Sequence, residues 1–462
     1  MERGVVSCRL IFSLLGDFKV EKRTGVLLDR TTFETSRELE YFSEKELRAQ
    51  IGHGKGAWPI AILKELIDNA LDACETKGCA PKITVVVEKD SFSIQDNGPG
   101  IEEEVIKKSL DYTKRVSDKV YYISPTRGQL GNALKTVWAV PFVLDGQQGK
   151  VEVFSKGKHY TISVSVDRIS QKPKIKCHID KSSLVKNGSL VKIHVADSAG
   201  LLNRPKDDGF YKGIDLLNKL PSAIGLIRSY AAFNPHASFT LNEKTYKATN
   251  TTLRKWKPSN PTSPHWYAEE ELRNLMAAYI YSEQNGGKPK TVREFVSEFR
   301  GISSTAKQKV VTQGFEGLYL HDLVKGDDID MKRLTKLHNA MKAISNPPKP
   351  SSLGAIGKEH LVNWMVNYAN VVRSSIQYTR RLSAGSLPHV LEIAFGIRKN
   401  ETRRRKIVTG LNWTPTLNIP LKDLDELVQE MRLDWFDPVV LVIHIARPLF
   451  NYIDRGKTRI EI

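Results

Sequence analysis

Ile62-Leu63-Lys64-Glu65-Leu66-Ile67-Asp68-Asn69-Ala70-Leu71-Asp72-Ala73-Cys74 is the stretch on which the reading of this 462-residue chain turns. Ile62, Leu66, Ala70 and Ala73 recur at helical spacing as one apolar stripe, and Glu65, Asp68, Asn69 and Asp72 fall at i, i+3, i+4 and i+7 on the other face. The pattern predicts one long amphipathic helix over 57–74. An acidic face of this kind is also what a merely solvated helix carries. The sharper reading gives Glu65 the task of activating a water and Asn69 that of offering its amide oxygen to Mg²⁺, one turn apart on the same ligand.

Moving outward, 82–89 (KITVVVEK) and 91–96 (SFSIQD) predict two strands joined by a tight turn. Asp96-Asn97-Gly98-Pro99-Gly100-Ile101 follows at once. By itself it signals a turn. With a ligand in mind, Asp96 would accept a hydrogen bond from a purine amino group, and Gly98 and Gly100 would let the backbone approach the base. Thr126-Arg127-Gly128-Gln129-Leu130-Gly131-Asn132-Ala133-Leu134-Lys135 then leads into a second helix, where backbone amides can cradle phosphate. Four more period-two stretches, VEVFSKG, YTISVSVD, KIKCHI and SLVKIHVA, complete an antiparallel sheet with helices on one face, an α+β layer sandwich. A charged helical segment at 33–50 precedes it, and the start of the chain reads as a strand or arm.

Composition sets the outer limits. Lys plus Arg is 70 against 52 for Asp plus Glu, a formal charge of +18 that points to a polyanionic partner. The four cysteines form no CxxC pair and Cys177-His178 has no further ligand nearby, so neither a disulfide framework nor a zinc site is readable and a reducing, cytoplasmic setting is the default expectation. No apolar run reaches the roughly 18 residues of a membrane span.

Taken together, the E-x-x-x-N helix, the D-x-G-x-G turn 27 residues after Asn69 and the Gly-rich loop about 30 residues further on resemble the nucleotide-binding boxes of the GHKL ATPases, the class of gyrase, Hsp90, histidine kinases and MutL. Gly188-Ser189-Leu190-Val191 resembles the fourth box, with Ser189 where that family usually has Thr, and Thr113-Lys114 resembles its lid pair. The resemblance implies a GHKL (Bergerat) ATP-binding sandwich with ATP and Mg²⁺ as cofactors. It implies Glu65 as general base, and Asn69 (the metal ligand), Asp96, Gly98, Gly100, Thr113, Lys114, Arg127, Gly128, Gln129, Leu130, Gly131, Asn132, Ala133 and Ser189 as the nucleotide-binding set.

Beyond it, 227–241, 261–276 and 291–310 are similar to the passage of the topoisomerase VI B family into a helix-two-turn-helix module. SSLGAIGKEHL and VLVIHIARPLFNYIDRGK are similar to the start and end of that family's transducer. The expected division is an N-terminal arm (1–30), the ATPase domain (31–255), a helical module (256–345) opened by a Pro-rich linker, and an α/β transducer (346–462). In the third, short helices are expected at 267–281, 292–299 and 303–312. In the fourth, strands are expected at 389–397 and 440–446, with a helix at 421–432 between them. Lys457 matches the transducer lysine that reaches the γ-phosphate. Departures are Ala133 in place of a third glycine, a long stretch between Lys114 and Gly128, and a chain that stops five residues after Lys457 where the family continues into a helix docking on the cleavage partner.

The resemblance implies an ATP-operated clamp of the type IIB topoisomerase class. It would dimerise through its N-terminal domains, bind double-stranded DNA non-specifically and work with a topoisomerase VI A-like or Spo11-like cleavage subunit. No cleavage tyrosine is assigned here, so this chain alone is expected not to cut DNA. Arg403-Arg404-Arg405-Lys406, 288–290, Lys307 with Lys309, and Arg373 with Arg380 and Arg381 are candidate phosphate contacts. Trp413 and Trp435-Phe436 read as packing residues. The alternative is a nucleotide-switched DNA-binding or scaffold ATPase of a mobile-element or defence system. An Hsp90-like protein clamp is disfavoured by the charge.

Overall fold

The computed structural model describes residues 37–113, 121–127, 133–167, 169–170, 172–203, 221–399, 405–420, 436–452 and 460–461. The expected arm at 1–30, Lys114, Gly128, Gln129, Leu130, Gly131, Asn132, Arg403, Arg404, the helix expected at 421–432, Trp435 and Lys457 lie outside them.

The charged segment near the start forms α1 (Arg37–Glu40) and α2 (Glu44–Ile51), divided where the Ser43 hydroxyl accepts the Glu46 amide. The helix α3 (Trp58–Lys77) starts with Pro59 in its first turn, where a missing N–H costs nothing, and stops at Gly78, whose φ of 78° ends the helix. Next come β1 (Lys82–Val87), β2 (Ser91–Gln95), α4 (Glu103–Ser109), α5 (Ala133–Asp145), β3 (Gly149–Ser155), β4 (Lys158–Asp167), β5 (Lys172–Lys181) and β6 (Ser189–His194). After them follow α6 (Ser198–Leu202), α7 (Ala223–Phe233), β7 (Ser238–Leu241) and β8 (Lys244–Tyr246).

The eight strands stand in the order β5-β4-β3-β6-β2-β1-β7-β8. The expected all-antiparallel sheet is corrected at one pair: β7 lies parallel to β1, with Lys82 opposite Ser238 and Val85 opposite Leu241. A return through helix α7, rather than a hairpin, permits that direction. Along β3, Gly149, Val151, Val153 and Ser155 are buried while Lys150, Glu152 and Phe154 are not, so one face of the sheet takes the helices. The core between them contains Trp58, Leu63, Ile67 and Leu71 of α3, Trp138 and Val140 of α5, Tyr230 of α7, and Val85, Ile94 and Val191 of the strands.

The second region is helical: α8 (Glu269–Gln284), α9 (Val292–Ser297), α10 (Thr305–Val311), a small hairpin of β9 (Val324–Lys325) and β10 (Asp328–Ile329), and α11 (Met331–Ile344). Its buried side chains form a core of their own around Phe295, Phe299 and Leu334. Helix α11 is not among the helices the sequence suggested, although Leu334, Leu337, His338 and Met341 are buried at i, i+3, i+4 and i+7.

The third region holds α12 (Lys358–Tyr368) and a sheet of β11 (Gln377–Ser383), β12 (His389–Ile397), β13 (Lys406–Leu411), β14 (Thr414–Pro415) and β15 (Val439–Ala446), in the order β11-β12-β15-β13-β14. A last pair, β16 (Asn451–Tyr452) and β17 (Ile460–Glu461), stands apart. Phe436, expected to pack, is instead 65 % exposed.

Several contacts bind this region to the first. Trp364 of α12 donates its indole N–H to the Arg228 carbonyl at 2.7 Å, and the β13–β14 turn presses on α7. That turn places Asn412 and Trp413 at φ 48° and 71°. Asn is common there, but an aromatic residue in this region is strained. Trp413 is wholly buried, its ring 4.8 Å from that of His444, and its carbonyl accepts the Asn234 amide at 2.8 Å. Val440 and Val442 belong to the same core cluster as α3.

Candidate functional site

The spacing of the α3 residues places Leu66, Asn69, Ala70 and Ala73 along one wall of a small hollow. Ile94, Asp96, Gly100 and Ile101 form the side built by β2 and its turn, Ser189 and Val191 that of β6, and Leu134 comes from the first turn of α5. The lining is therefore apolar on its broad surfaces and carries one carboxylate.

Asp96 is 7 % exposed and held from two sides. Its Oδ1 accepts the Gly98 amide at 2.7 Å and its Oδ2 accepts the Ser189 hydroxyl at 2.5 Å, while its own amide donates to the Ser189 carbonyl at 3.0 Å. Burial raises its pKa, and the bonds from Ser189 and Gly98 pull against that rise. The carboxylate is thus fixed in rotation, with lone pairs remaining for a ligand.

The glycines of this turn are also required by the protein's own packing. A Cβ on Gly100, at φ 81°, would lie 2.7 Å from Ser155 Oγ and 3.0 Å from the Gly188 carbonyl. One on Gly98 would lie 2.8 Å from Asp96 Oδ1. Gly188, at φ 82°, would drive a Cβ to 2.0 Å from the Asp96 carbonyl oxygen. Asn97 is structural as well: its side chain accepts the Lys82 amide at 2.8 Å and donates to the Ala80 carbonyl at 3.0 Å.

One turn before Asn69, Glu65 is about one-third exposed, with Lys64 Nζ at 3.5 Å. Lys64 also grips Asp68 at 3.0 Å; burial lowers its pKa, but Asp68 and Glu65 outweigh that and raise it. Thr113 is exposed and bonds Asp111 through both its amide and its hydroxyl. Ala133 begins α5.

The four polar residues of α3 differ in surroundings. Asp68 and Asp72 are 2 % and 4 % exposed and bond to protein groups, whereas Asn69 lines the hollow. Asp68 Oδ1 accepts the Tyr230 hydroxyl and the Thr414 hydroxyl, each at 2.8 Å. Asp72 accepts from Arg127 Nη1 at 2.8 Å, and the same nitrogen lies 3.0 Å from Glu75 Oε1. Glu75 also meets Lys255 at 2.7 Å and His236 at 2.8 Å.

Burial pushes the Glu75 carboxyl up, but Arg127, Lys255 and His236 outweigh it and hold it well below the usual range. The Lys255 ammonium, fully enclosed and beside Arg127, is pulled down to about 8 in spite of Glu75. Three buried acids are thereby matched by three cations, Lys64, Arg127 and Lys255. Arg127, expected at the nucleotide, is turned inward and is not part of the hollow's lining. Sequence reasoning missed Ser155, whose hydroxyl accepts the Ile101 amide and braces the turn, and it missed Glu75 altogether. A buried ion partner 52 positions before Arg127 leaves no local pattern.

Among the described residues no group of His, Cys, Asp or Glu is arranged to hold a metal, and no helix is long and apolar enough to cross a membrane.

Residues 54–167 match the family model described as histidine kinase-, DNA gyrase B-, and HSP90-like ATPase. Among curated proteins, the chain is similar to the B subunit of type 2 DNA topoisomerase 6 from Archaeoglobus fulgidus, 27 % identical over 319 residues that cover 65 % of this chain and 47 % of that protein. Its counterpart in Sulfurisphaera tokodaii is 21 % identical over 428 residues, 86 % of this chain and 74 % of the relative. That of Metallosphaera sedula is 22 % identical over 431 residues, with the same shares. The chain thus spans about half the length of the first relative and three-quarters of the other two. Residues 54–167, with the α+β sandwich around the Asp96 hollow, form a histidine kinase-, DNA gyrase B- and HSP90-like ATPase domain, in a chain that resembles the B subunits of topoisomerase 6 over most of its length.

Proposed function

We propose that the chain binds and hydrolyses ATP and acts as the dimerising clamp subunit of a topoisomerase VI-like machine on double-stranded DNA, with a separate A-type subunit cutting the DNA. The observation that carries the nucleotide reading is the Asp96–Ser189 pair at the base of an apolar hollow whose wall is the helix bearing Asn69 and Glu65. A flat heterocycle with an exocyclic amine suits that lining, the amine donating to Asp96 and the ring lying between Ala70, Ile94 and Leu134.

The phosphates would run towards Asn69 and the start of α5. Thr113, Lys114, Gly128, Gln129, Leu130, Gly131, Asn132 and Ala133 are assigned to them by resemblance. Magnesium held by the Asn69 amide oxygen and phosphate oxygens would neutralise charge on the leaving phosphates. Glu65, partly solvent-exposed and one turn away, takes the proton of the attacking water. Lys457 is assigned to the γ-phosphate on the same ground.

The surplus of +18 and the exposed Arg373, Arg380 and Arg381 support a polyanionic partner, and the name carried by the relatives supports DNA and a partner subunit. The test is ATP turnover with and without duplex DNA and an A-type subunit, alongside size analysis with a non-hydrolysable analogue. Dimerisation that requires the analogue, with turnover sensitive to DNA, supports the clamp. A size independent of nucleotide defeats it.

A further inference from the structure

The short segment 121–127 touches two different cores. At one end, Ile123 is 4 % exposed and packed in the core of the helical region, and its amide donates to the Tyr267 hydroxyl at 3.0 Å. Beside it the Tyr122 hydroxyl bonds that of Tyr279 on α8. Tyr279 donates in turn to Glu298 at 2.6 Å, with Lys290 3.9 Å above its ring. Four positions on, Arg127 is 3 % exposed and enters the acidic side of α3. It bonds Asp72, meets Glu75, and reaches Asn234 of the first sheet's domain through its other terminal nitrogen. Both terminal nitrogens of the guanidinium are engaged by protein groups, none of which lines the hollow.

We propose that Arg127 is a positioning residue rather than a nucleotide ligand, and that segment 121–127 is a brace through which the helical region holds the ATP-site helix in register. The proposal rests on the ATPase reading for its effect on turnover, though not for its effect on α3. A planar guanidinium held through Nη1 by Asp72 and Glu75 and through Nη2 by Asn234 fixes α3 against the end of α7 in a way a flexible point charge does not. Glu65 and Asn69 lie on that same helix, so a small displacement would be felt in the chemical step more than in binding. A load on α8, such as a polyanion drawn to its neighbourhood, would then alter turnover without touching the hollow.

The test uses the full chain with Ile123→Ala, Tyr279→Phe and Arg127→Lys. Hydrogen exchange of the α3 amides is followed without nucleotide, together with kcat, KM and equilibrium binding of a non-hydrolysable ATP analogue. Ile123→Ala, although its side chain is seated in another core, should speed α3 exchange roughly threefold or more. It should also lower kcat about tenfold with analogue affinity nearly unchanged. Tyr279→Phe, which keeps the ring and removes one hydroxyl, should shift both readouts in the same direction by less. Arg127→Lys should do the most, and adding Ile123→Ala to it should change little, because both act on one connection.

Unchanged α3 exchange in Ile123→Ala and Tyr279→Phe would overturn the brace. Analogue affinity falling in step with kcat in Arg127→Lys would overturn the positioning role. If the wild type binds no nucleotide, the ATPase reading fails by itself, and the exchange measurement still decides the brace.

Discussion

At the scale of single residues, the site separates what binds from what reacts. Glu65 keeps about one-third of its side chain in solvent, with the Lys64 ammonium 3.5 Å away. Glu65→Ala should therefore lower ATP turnover by about 10²- to 10⁴-fold while nucleotide affinity stays, since a base is removed and no binding group is lost. Single-turnover kinetics beside analogue titration would check it, and a variant with near wild-type turnover would end the assignment. Asp96→Asn should do the reverse. The swap turns one acceptor oxygen into a donor facing a donor, so affinity should fall by about 1–3 kcal/mol by calorimetry. Unchanged affinity would leave Asp96 as a turn residue whose partners are Gly98 and Ser189 alone.

Elements show where local pattern was enough and where it failed. Helix α3, its neighbouring strands and the turn after β2 were legible because spacing and turn chemistry act over a few residues. The fate of the α3 acids was not. Asp68, Asp72 and Glu75 find their counter-charges and hydroxyl donors on Arg127, Lys255, Tyr230 and Thr414, across as many as 346 positions, so the sequence shows acids without their partners. The parallel β1–β7 pair was likewise decided by tertiary packing, whereas helix α11 carried a local signal, the N-cap Asp330 and the helical spacing of Leu334, Leu337 and Met341.

The second sheet supplies a buried pair of the same kind. Glu392 of β12 accepts the amides of Ile356 and Gly357, each at 2.8 Å, and the Tyr378 hydroxyl at 2.7 Å, with His444 Nδ1 at 3.1 Å. Burial pushes this carboxyl up, but the His444 hydrogen bond and the two amides outweigh it and hold it at about 2, against an ordinary 4.5. Its folded pKa is the lower one, so its stabilising contribution is complete above about 4.5 and is lost as pH falls toward 2. In Glu392→Gln that acid-dependent slope of unfolding free energy should be shallower between those limits. Denaturant titration at stepped pH measures it, and an identical slope would show that Glu392 does not titrate there.

On the scale of the whole molecule, the proposed DNA binding would, at a charge of +18, be a counterion effect. Binding should be independent of sequence and should fall linearly in log–log form between about 50 and 200 mM salt. Affinity that ignores salt, or that reads one sequence sharply, would contradict contact with the phosphate backbone.

The inward acids of α3 also have a bearing on the order in which a ribosome delivers the chain. Helix α3 ends at Lys77, and its last hydroxyl donor, Thr414, follows 337 residues later. At roughly 5–20 residues per second that is an interval of about 17–70 seconds. Through it, Asp68 already has Lys64 and, once residue 230 is made, the Tyr230 hydroxyl, but it lacks the second of its two hydroxyl donors. The β13–β14 turn, arriving late with Thr414 beside a strained Trp413, supplies one of the contacts that lets the helix settle. A protein released before that turn is made would carry a helix whose Asp68 still lacks the Thr414 hydroxyl, and quality control would meet it as an unfinished fold rather than as a smaller finished one.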